Sequence, residues 1–378
     1  MPGMTFTLSS HPFGNSGMHV YLAVGILIVA AISLLMLSYL TNQPSNGASS
    51  ESNNPFRSVK TRSPANRRIR FISLSFGSLW LIDGFLQLRN AMPTQFVSSI
   101  IKPAFALAPA PIQFLSHIAI QLWTLDPVKA DIGAAYLQLT VGLGMMFLNR
   151  GPAWRIIVKL SIIWSLVIFV FGNGFGIFYK GASFATGAPS AILIYLFASI
   201  EILKLEKEQS VSKSTKRIGR FLGAFIFFGS LLGTIPTESF WKADGYYQMI
   251  KEMAISRQPE LISILLNGGA SLVNETGQYV NASLVIAGVA VAVALYFYPT
   301  KRSTLIAAVL ITTTTWIFVQ DFGVFSATGT DSNSGSATLV LTLSLLSNSG
   351  PTLRGKLRHR DHDYAIAMVS EGESALLL

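Results

Sequence analysis

The sequence predicts an all-α polytopic membrane protein with about nine transmembrane helices. Of the 378 residues, 51% are hydrophobic and only 12% are charged, and the mean hydropathy is +0.49. Soluble domains carry about 25% charged residues, so this composition excludes cytosolic enzymes, secreted disulfide scaffolds and disordered chains. Two further observations support the class: a series of apolar runs long enough for membrane spans, and a similarity between two halves of the chain.

The residue types that are missing exclude several kinds of chemistry. The chain has no cysteine, which excludes disulfides, iron–sulfur clusters, thiolate metal sites and cysteine nucleophiles. Four of its five histidines lie outside the predicted spans, and His19 lies at the outer end of the first one. The paired intramembrane histidines that ligate haem are therefore missing, and neither haem nor another metal centre is expected. No phosphate-binding loop or dinucleotide fingerprint occurs, and no nucleotide cofactor is expected.

The apolar runs define the predicted organisation. A charge-free run over 18–40 predicts an anchor helix in a unit 1–41, followed by a polar linker over 42–67. Eight further runs lie at 71–88, 132–148, 154–171, 189–203, 221–235, 280–298, 304–319 and 337–346. They predict four-helix units over 68–204 and 220–349, with a linker at 205–219 and a basic tail at 350–378.

The two four-helix units share landmarks at offsets between 147 and 152 residues, which predicts an internal duplication. The matching pairs are Gly77-Ser78-Leu79 with Gly229-Ser230-Leu231, Lys102 with Lys251, Pro111 with Pro259, Arg155 with Arg302, and Phe175-Gly176 with Phe322-Gly323. Because each unit has an even number of spans, both units enter the membrane in the same orientation, and the repeats are parallel. In each unit, an excursion after the first span (89–129 and 236–278) has apolar spacings of three and four, which predicts external amphipathic helices over the mouth of the bundle.

The basic residues predict the orientation. Loops on one side of the predicted bundle carry 19 Lys and Arg residues, whereas loops on the other side carry seven. By the positive-inside rule, the N-terminus lies outside and the C-terminus in the cytoplasm of the cell (inner) membrane. The net charge of +10 is therefore largely an orientation signal, and the expected partner is the lipid bilayer, with no nucleic acid.

The loop between the third and fourth spans of each unit holds most of the candidate binding residues. These are Asn173, Phe175 and Gly176 in the first unit and Gln320, Asp321, Phe322 and Gly323 in the second. Glycine lets the backbone leave the helical region and expose polar groups, and phenylalanine offers a flat apolar surface, so a quinone head group would suit such a loop. Alternatively, these are tight turns whose glycines only permit close helix packing.

Two carboxylates in or beside predicted spans, Asp83 and Asp321, are candidate proton sites. Asp83 lies inside an apolar run, with Gln87 one turn later on the same face, and an intramembrane carboxylate costs about 2.5–3.5 kcal/mol on insertion scales. It could exchange a proton with a bound quinol, or it could be hydrated or paired with Arg89. The second unit offers Ile235 at the matched position. Asp321 is either a second proton or cation site or a cap of its loop.

The segment 77–88, which reads Gly-Ser-Leu-Trp-Leu-Ile-Asp-Gly-Phe-Leu-Gln-Leu, gives the first unit a resemblance to a known family. With the external excursion and the glycine-rich turn, it resembles the DoxX/DoxD-like membrane proteins, here as a tandem of two units. The resemblance implies a subunit of a quinone-linked redox system, such as a thiosulfate:quinone oxidoreductase, with other membrane or external redox subunits as partners. The electron carrier would then be the quinone or a partner's cofactor.

Two other functions remain open from the sequence. Parallel repeats can also form a small-solute transporter, and the external helices could make the protein a membrane scaffold or assembly factor. A quinone site predicts an apolar crevice with Asp83 at its end. A transporter predicts a water-accessible cavity between the units, and a scaffold predicts a packed bundle with an exposed apolar patch.

Overall fold

A computed structural model describes residues 63–148, 150–236, 239–256, 258–325 and 329–346. Throughout these ranges the chain forms helices and turns without a β-strand. The predicted anchor at 18–40 and the tail at 350–378 lie outside them. The helices are α1 (Pro64–Gln87), α2 (Met92–Phe96), α3 (Ala110–Leu125), α4 (Pro127–Phe147), α5 (Pro152–Val167), α6 (Ala191–Glu208), α7 (Val211–Leu232), α8 (Gly245–Ile255), α9 (Glu260–Leu272), α10 (Gly277–Phe297), α11 (Arg302–Phe318) and α12 (Asn333–Leu346). A π-helical turn extends α2 (Val97–Ile101) and another extends α5 (Ile168–Gly172).

Four of the described helices are long and apolar enough to cross a membrane: α1, α4, α10, and α5 with its π-helical turn. Large apolar side chains on these helices face outward, including Phe147 on α4, Ile163 on α5 and Ile286 on α10, all more than half exposed. Water would oppose such a surface, whereas lipid tails would solvate it. The helices therefore have the length and the surface of membrane-spanning segments.

The helix boundaries agree with the predicted spans at their centres and differ at their ends. Each of the eight predicted spans from 71–88 onward overlaps a long helix. The predicted linkers are shorter than expected, because α1 already begins at Pro64, where Ser63 Oγ accepts from the Asn66 amide at 3.2 Å. The linker at 205–219 is almost entirely helical.

Charged side chains explain why α6 and α7 extend beyond their apolar runs. Arg217 of α7 donates to both carboxylate oxygens of Glu201 on α6, at 2.6 and 2.9 Å, and to Glu208 at 2.8 Å. Glu201 is 1% exposed, so the bidentate pair replaces water as the partner of a buried charge. Hydrophobicity alone did not reveal these turns because the residues that form them are charged.

The two halves of the bundle share one hydrophobic core. The helices α1, α6, α7 and α12 contact one another at the centre, α4 and α5 pack outside α1 and α6, and α10 and α11 pack outside α7 and α12. One cluster of buried residues runs through all eight helices. The short helices α2, α3, α8 and α9 lie at one end of the bundle, called here the lid end. The opposite end, with the turns at 148–151, 209–210 and 298–301, is called the basic end.

Close backbone contact joins the first and second long helices of each half. A Cβ atom on Gly142 of α4 would lie 2.8 Å from the carbonyl oxygen of Gly77 on α1. In the second half, a Cβ atom on Gly223 of α7 would lie 2.7 Å from the carbonyl oxygen of Ala292 on α10. Small residues at these crossings let the backbones approach more closely than side chains would allow.

This packing corrects one detail of the sequence comparison. In its contact with α10, Gly223 of α7 occupies the position that Gly77 of α1 occupies in its contact with α4. Asp83 lies six residues after Gly77, so the residue at the matching position of α7 is Gly229. Ile235, which the sequence comparison paired with Asp83, lies beyond the end of α7 at Leu232. The register of these helix contacts therefore differs by six residues from that of the Gly-Ser-Leu match.

The crossing of α1 and α4 can be tested with two alanine substitutions in one helix. Gly142→Ala should destabilise the protein by about 1–3 kcal/mol, because the new methyl group meets a backbone carbonyl. Gly133→Ala, also in α4, meets no atom within 4 Å and should be neutral or stabilising by up to about 1 kcal/mol through helix propensity. Thermal unfolding in detergent, followed by circular dichroism, measures both, and equal effects would contradict the packing.

Candidate functional site

A cavity of about 360 Å³ lies at the lid end of the first half. Its walls come from one face each of α1, α4 and α5, and the helical segments at α2 and α3 cover it. The wall residues include Trp80, Asp83 and Gln87 of α1, Ala130, Ala134 and Gln138 of α4, Trp164 and Phe171 of the α5 segment, and Phe96, Ile101, Leu122 and Trp123 of the covering segments. Of the two excursions that were predicted to cover the mouth of the bundle, the first, with α2 and α3, covers this cavity.

Asp83 faces a second carboxyl group across the cavity. Asp331, from the loop between α11 and α12, also lines the cavity and interacts electrostatically with Asp83. The Tyr195 hydroxyl and the Ser332 backbone also lie near the Asp83 carboxyl, which is 3% exposed. The Tyr195 hydroxyl has no hydrogen-bond partner among the described residues. The site therefore needs both halves of the chain, since α1 supplies one carboxyl and the last loop of the second half supplies the other.

Asp331 was missed by the sequence reasoning. It lies in a polar stretch rich in Gly, Ser and Thr, where an acid has no apolar neighbours to mark it as buried. In the fold its carboxyl is enclosed, and this burial raises the pKa of Asp331, an effect that the hydrogen bond from the Asn333 amide partly opposes. That amide donates to Asp331 Oδ1 at 2.6 Å.

Four residues that line the cavity carry a buried side-chain atom without a hydrogen-bond partner among the described residues. Two are acceptors, Asp83 Oδ1 and Gln138 Oε1, and two are donors, Trp123 Nε1 and Trp164 Nε1. A buried polar group without a partner costs about 1–3 kcal/mol. Such groups usually have partners in folded proteins, so these four atoms are candidate contacts for a ligand in the cavity.

Gln87 has a structural partner as well as a place on the cavity wall. Its Nε2 donates to Asp131 Oδ1 of α4 at 2.6 Å. The second half has a related contact, in which Asn281 Nδ2 of α10 donates to the Gly233 carbonyl at 3.1 Å. In both halves, a polar link therefore joins the ends of the two helices that cross at the glycine contact.

The two predicted turns share a run of three positive φ angles. The φ angles of Gly174, Phe175 and Gly176 are 52°, 63° and 67°, and those of Asp321, Phe322 and Gly323 are 46°, 57° and 75°. Three consecutive left-handed residues are costly for any residue except glycine. At Gly176 a side chain is also excluded by space, because a Cβ atom would lie 2.2 Å from the Pro189 carbonyl oxygen.

Polar side chains hold each turn against the helix that follows it. Asn173 Nδ2 donates to the Oγ of Ser190, the residue that caps α6, at 2.6 Å. In the second turn, Gln320 Oε1 accepts from the Gly335 amide of α12, and its Nε2 donates to the Ala185 carbonyl, both at 3.0 Å. These bonds satisfy polar groups in an apolar setting, so the turns are braced structures.

The turn residues differ in their access to the cavity. Asn173 lines it, together with Asp83 and Gln87. Phe175 packs edge-on against Phe169, and Phe322 packs edge-on against Trp316. Of the remaining predicted site residues, Gly176 lines only a second, smaller pocket, and Phe175, Gln320, Asp321, Phe322 and Gly323 line neither space. The two turns therefore position the site, and only Asn173 reaches its main wall.

The second pocket, of about 240 Å³, adjoins the first and is more polar. Its lining includes Ser99, Tyr179, Thr186, Ser190 and Asn333. The two spaces share Ile100, Asn173 and Asp331. Asp331 therefore lies between an apolar cavity and a polar one.

Asp321 is buried away from both spaces. Its side chain is 6% exposed, and Oδ1 has no hydrogen-bond partner among the described residues. Burial raises the pKa of Asp321 to about 7. Within the described ranges, no group of three His, Asp or Glu side chains could hold a metal ion.

Comparison of the chain with protein-family models, with curated proteins and with solved structures finds no match.

Asp321 should make the stability of the protein depend on pH. Its folded pKa lies above the ordinary value of 3.8, so between about pH 4 and pH 7 the folded state keeps a proton that the unfolded state loses. Stability therefore falls as the pH rises through this window, by up to about 4 kcal/mol. Asp321→Asn should remove this loss, and its melting temperature should exceed that of the wild type increasingly from pH 4.5 to 7.5.

Thermal unfolding in detergent across this pH range provides the measurement. Asp244→Asn is the matched control, because Asp244 is an exposed acid at the lid end, and this variant should follow the wild-type pH dependence. A constant difference between Asp321→Asn and the wild type at all pH values would show that Asp321 ionises normally.

Proposed function

We propose that this protein is an integral membrane subunit of a quinone-linked redox system and that it binds a quinone in the cavity at the lid end. The observation that carries the proposal is the set of four partnerless atoms, two donors and two acceptors, on residues that line a mainly apolar cavity. The volume of about 360 Å³ lies within the range of about 300–1,000 Å³ for ligand pockets.

Both redox states of a quinone match these atoms. The carbonyl oxygens of an oxidised quinone can accept from the indole N–H groups of Trp123 and Trp164. The hydroxyl groups of the reduced quinol can donate to Asp83 Oδ1 and Gln138 Oε1. The aromatic side chains around the cavity, including Trp80 and Phe96, suit a planar ring.

The carboxyl pair would handle protons. Asp83 lies at the apolar cavity, and Asp331 lies both there and at the polar pocket. A proton accepted by Asp83 could pass to Asp331 and leave through the polar pocket, which contains hydroxyl groups from Ser99 and Tyr179. Electrons would pass to or from a cofactor of a partner subunit, as the sequence resemblance to the DoxX/DoxD-like family implies.

Tandem duplication of a four-helix unit is part of the proposal, and geometry at a constant offset of 147 residues supports it. The Asn173 amide donates to the Ile168 carbonyl at 2.8 Å, and the Gln320 amide donates to the Thr315 carbonyl at 3.0 Å. Phe169 and Trp316, which contact the turn phenylalanines, keep the same offset. Helices of unrelated origin would have no reason to repeat these contacts.

The proposed membrane arrangement keeps nine spans, with the predicted helix at 18–40 as the first. The lid end would lie outside the cell (inner) membrane, and the basic end would lie in the cytoplasm, with the N-terminus outside and the C-terminus inside. The concentration of Lys and Arg in the predicted loops of the basic end supports this orientation.

A small-solute transporter is the second candidate. The polar pocket favours it, because Asn173 and Thr186 come from the first half and Asn333 and Ser334 from the second. A path between parallel repeats could open there if the halves moved relative to each other.

Quinone binding can be measured by quenching of tryptophan fluorescence, because three tryptophans line the cavity. The detergent-solubilised protein is titrated with a short-chain ubiquinone, oxidised or reduced. Ala134→Phe should weaken both affinities at least tenfold by filling the cavity. Asp83→Asn should weaken quinol binding about tenfold, since a hydrogen bond to a carboxylate is worth about 1.5–3 kcal/mol, and should affect quinone binding less.

Two variants provide controls. Asp321→Asn removes a buried carboxyl that lies outside the cavity, and Val293→Phe enlarges a side chain on the exposed face of α10. Both should bind like the wild type. If the wild type bound neither form, or if Ala134→Phe bound both normally, the quinone site would be refuted, and solute flux in proteoliposomes would test the transporter.

A further inference from the structure

The polar pocket of about 240 Å³ has the first turns of two helices in its wall. Ala191, the first residue of α6, lines it from the first half, and Ser334, the second residue of α12, lines it from the second. Asp331 lies in the same wall, and the exposed residue Ser99 lines the pocket at the lid end. A water-soluble ligand could therefore enter from the lid end and reach the starts of both helices.

The start of α12 offers hydrogen-bond donors to a ligand. The first amides of a helix have no acceptor within that helix. The Asn333 amide donates to Asp331 Oδ1 at 2.6 Å, and the Gly335 amide donates to Gln320 Oε1 at 3.0 Å. Ser334 lies between them and is 1% exposed, and its Oγ has no hydrogen-bond partner among the described residues. A buried hydroxyl at the positive end of a helix suits a carboxylate.

Asp331 gives the same pocket a negative charge. The ion pairs found within the described ranges involve other acids. None of the described residues that line the pocket is a Lys, Arg or His residue. A carboxylate in largely apolar surroundings is stabilised by a positive partner. The ammonium group of a ligand would supply that partner.

The size of the pocket favours a small organic molecule over a bare ion. A single water molecule needs about 10–15 Å³, so one ion would leave most of the space of about 240 Å³ unfilled. Gly187 also lines the pocket, and a Cβ atom there would lie 3.3 Å from Ser334 Oγ. Glycine at this position therefore leaves room for a ligand beside the hydroxyl.

We propose that the polar pocket binds a small zwitterion with one ammonium and one carboxylate group, such as an α-amino acid. Asp331 pairs with the ammonium group, and Ser334 at the start of α12 donates to the carboxylate. The inference names a solute class for the second candidate function. It does not rest on quinone binding, although Asp331 lines both spaces.

Isothermal titration calorimetry of the full-length protein in neutral detergent can compare three ligands of nearly equal size. L-Alanine carries both charged groups, propionate lacks the ammonium group, and L-alaninamide lacks the carboxylate. L-Alanine should bind at least about tenfold more tightly than either of the others, because each of them leaves one end of the site without its charged partner.

Two variants should separate the two ends of the ligand. Asp331→Asn should weaken the binding of L-alanine and L-alaninamide about tenfold, without weakening that of propionate. Ser334→Ala should weaken the binding of L-alanine and propionate about fivefold and leave that of L-alaninamide unchanged. Because Ser334→Ala is a small change, it keeps the test valid if Asp331→Asn does not fold.

Asp244→Asn is the matched control, because it removes an exposed acid at the lid end. It should bind L-alanine like the wild type. Ala134→Phe, which fills the quinone cavity, should also do so, because Ala134 does not line the polar pocket. This variant separates a failure of the quinone site from a failure of the zwitterion site.

The proposal would be overturned if the wild type did not bind L-alanine, or if it bound all three ligands equally. Binding of L-alaninamide as tightly as L-alanine would show a site for amines and would overturn the assignment of the carboxylate to Ser334.

Discussion

The close contact of α1 with α4 at Gly77 and Gly142 is the constraint on which the rest of the structure depends. It fixes the rotation of both helices, so that one face of α1, with Trp80 and Asp83, and one face of α4, with Ala134, point into the same space. Small residues on the α4 face leave that space open, and the covering helices close it. A larger residue at the crossing would separate the helices and remove the walls of the cavity.

A second constraint follows from the apolar surroundings, where a backbone polar group cannot form a hydrogen bond with water. Each half satisfies this constraint in the same way. A left-handed turn is held against the next helix by hydrogen bonds from a polar side chain, which is Asn173 in the first half and Gln320 in the second. The braced turn of the second half carries the following loop toward α1. Asp331 reaches Asp83 as a result, so a structural requirement of one half completes the site of the other.

The two halves share their backbone geometry but differ in their chemistry. Gly229 stands where Asp83 does, and its carbonyl accepts from the Phe184 amide at 2.8 Å. A side chain is excluded there, because a Cβ atom would lie 2.5 Å from the Ala188 carbonyl oxygen. Asp83 instead lies near the loop of the second half that carries Asp331 and Ser332. The residue at this one helix position thus differs between the halves, and only the first half has an acid there.

The sequence by itself determined the all-helical class, the long apolar helices suited to a membrane, the positions of eight long helices and the place of Asp83 in an apolar run. Hydrophobic periodicity and a charge in an apolar run are local signals. The sequence ended α6 too early and began α7 too late, since the Arg217 ion pairs extend both helices beyond their apolar runs. Only the tertiary structure decided that Asp331, Gln138, Trp123 and Trp164 surround one cavity with Asp83. These residues are far apart in the chain, and no local pattern records which of them meet when eight helices share one core.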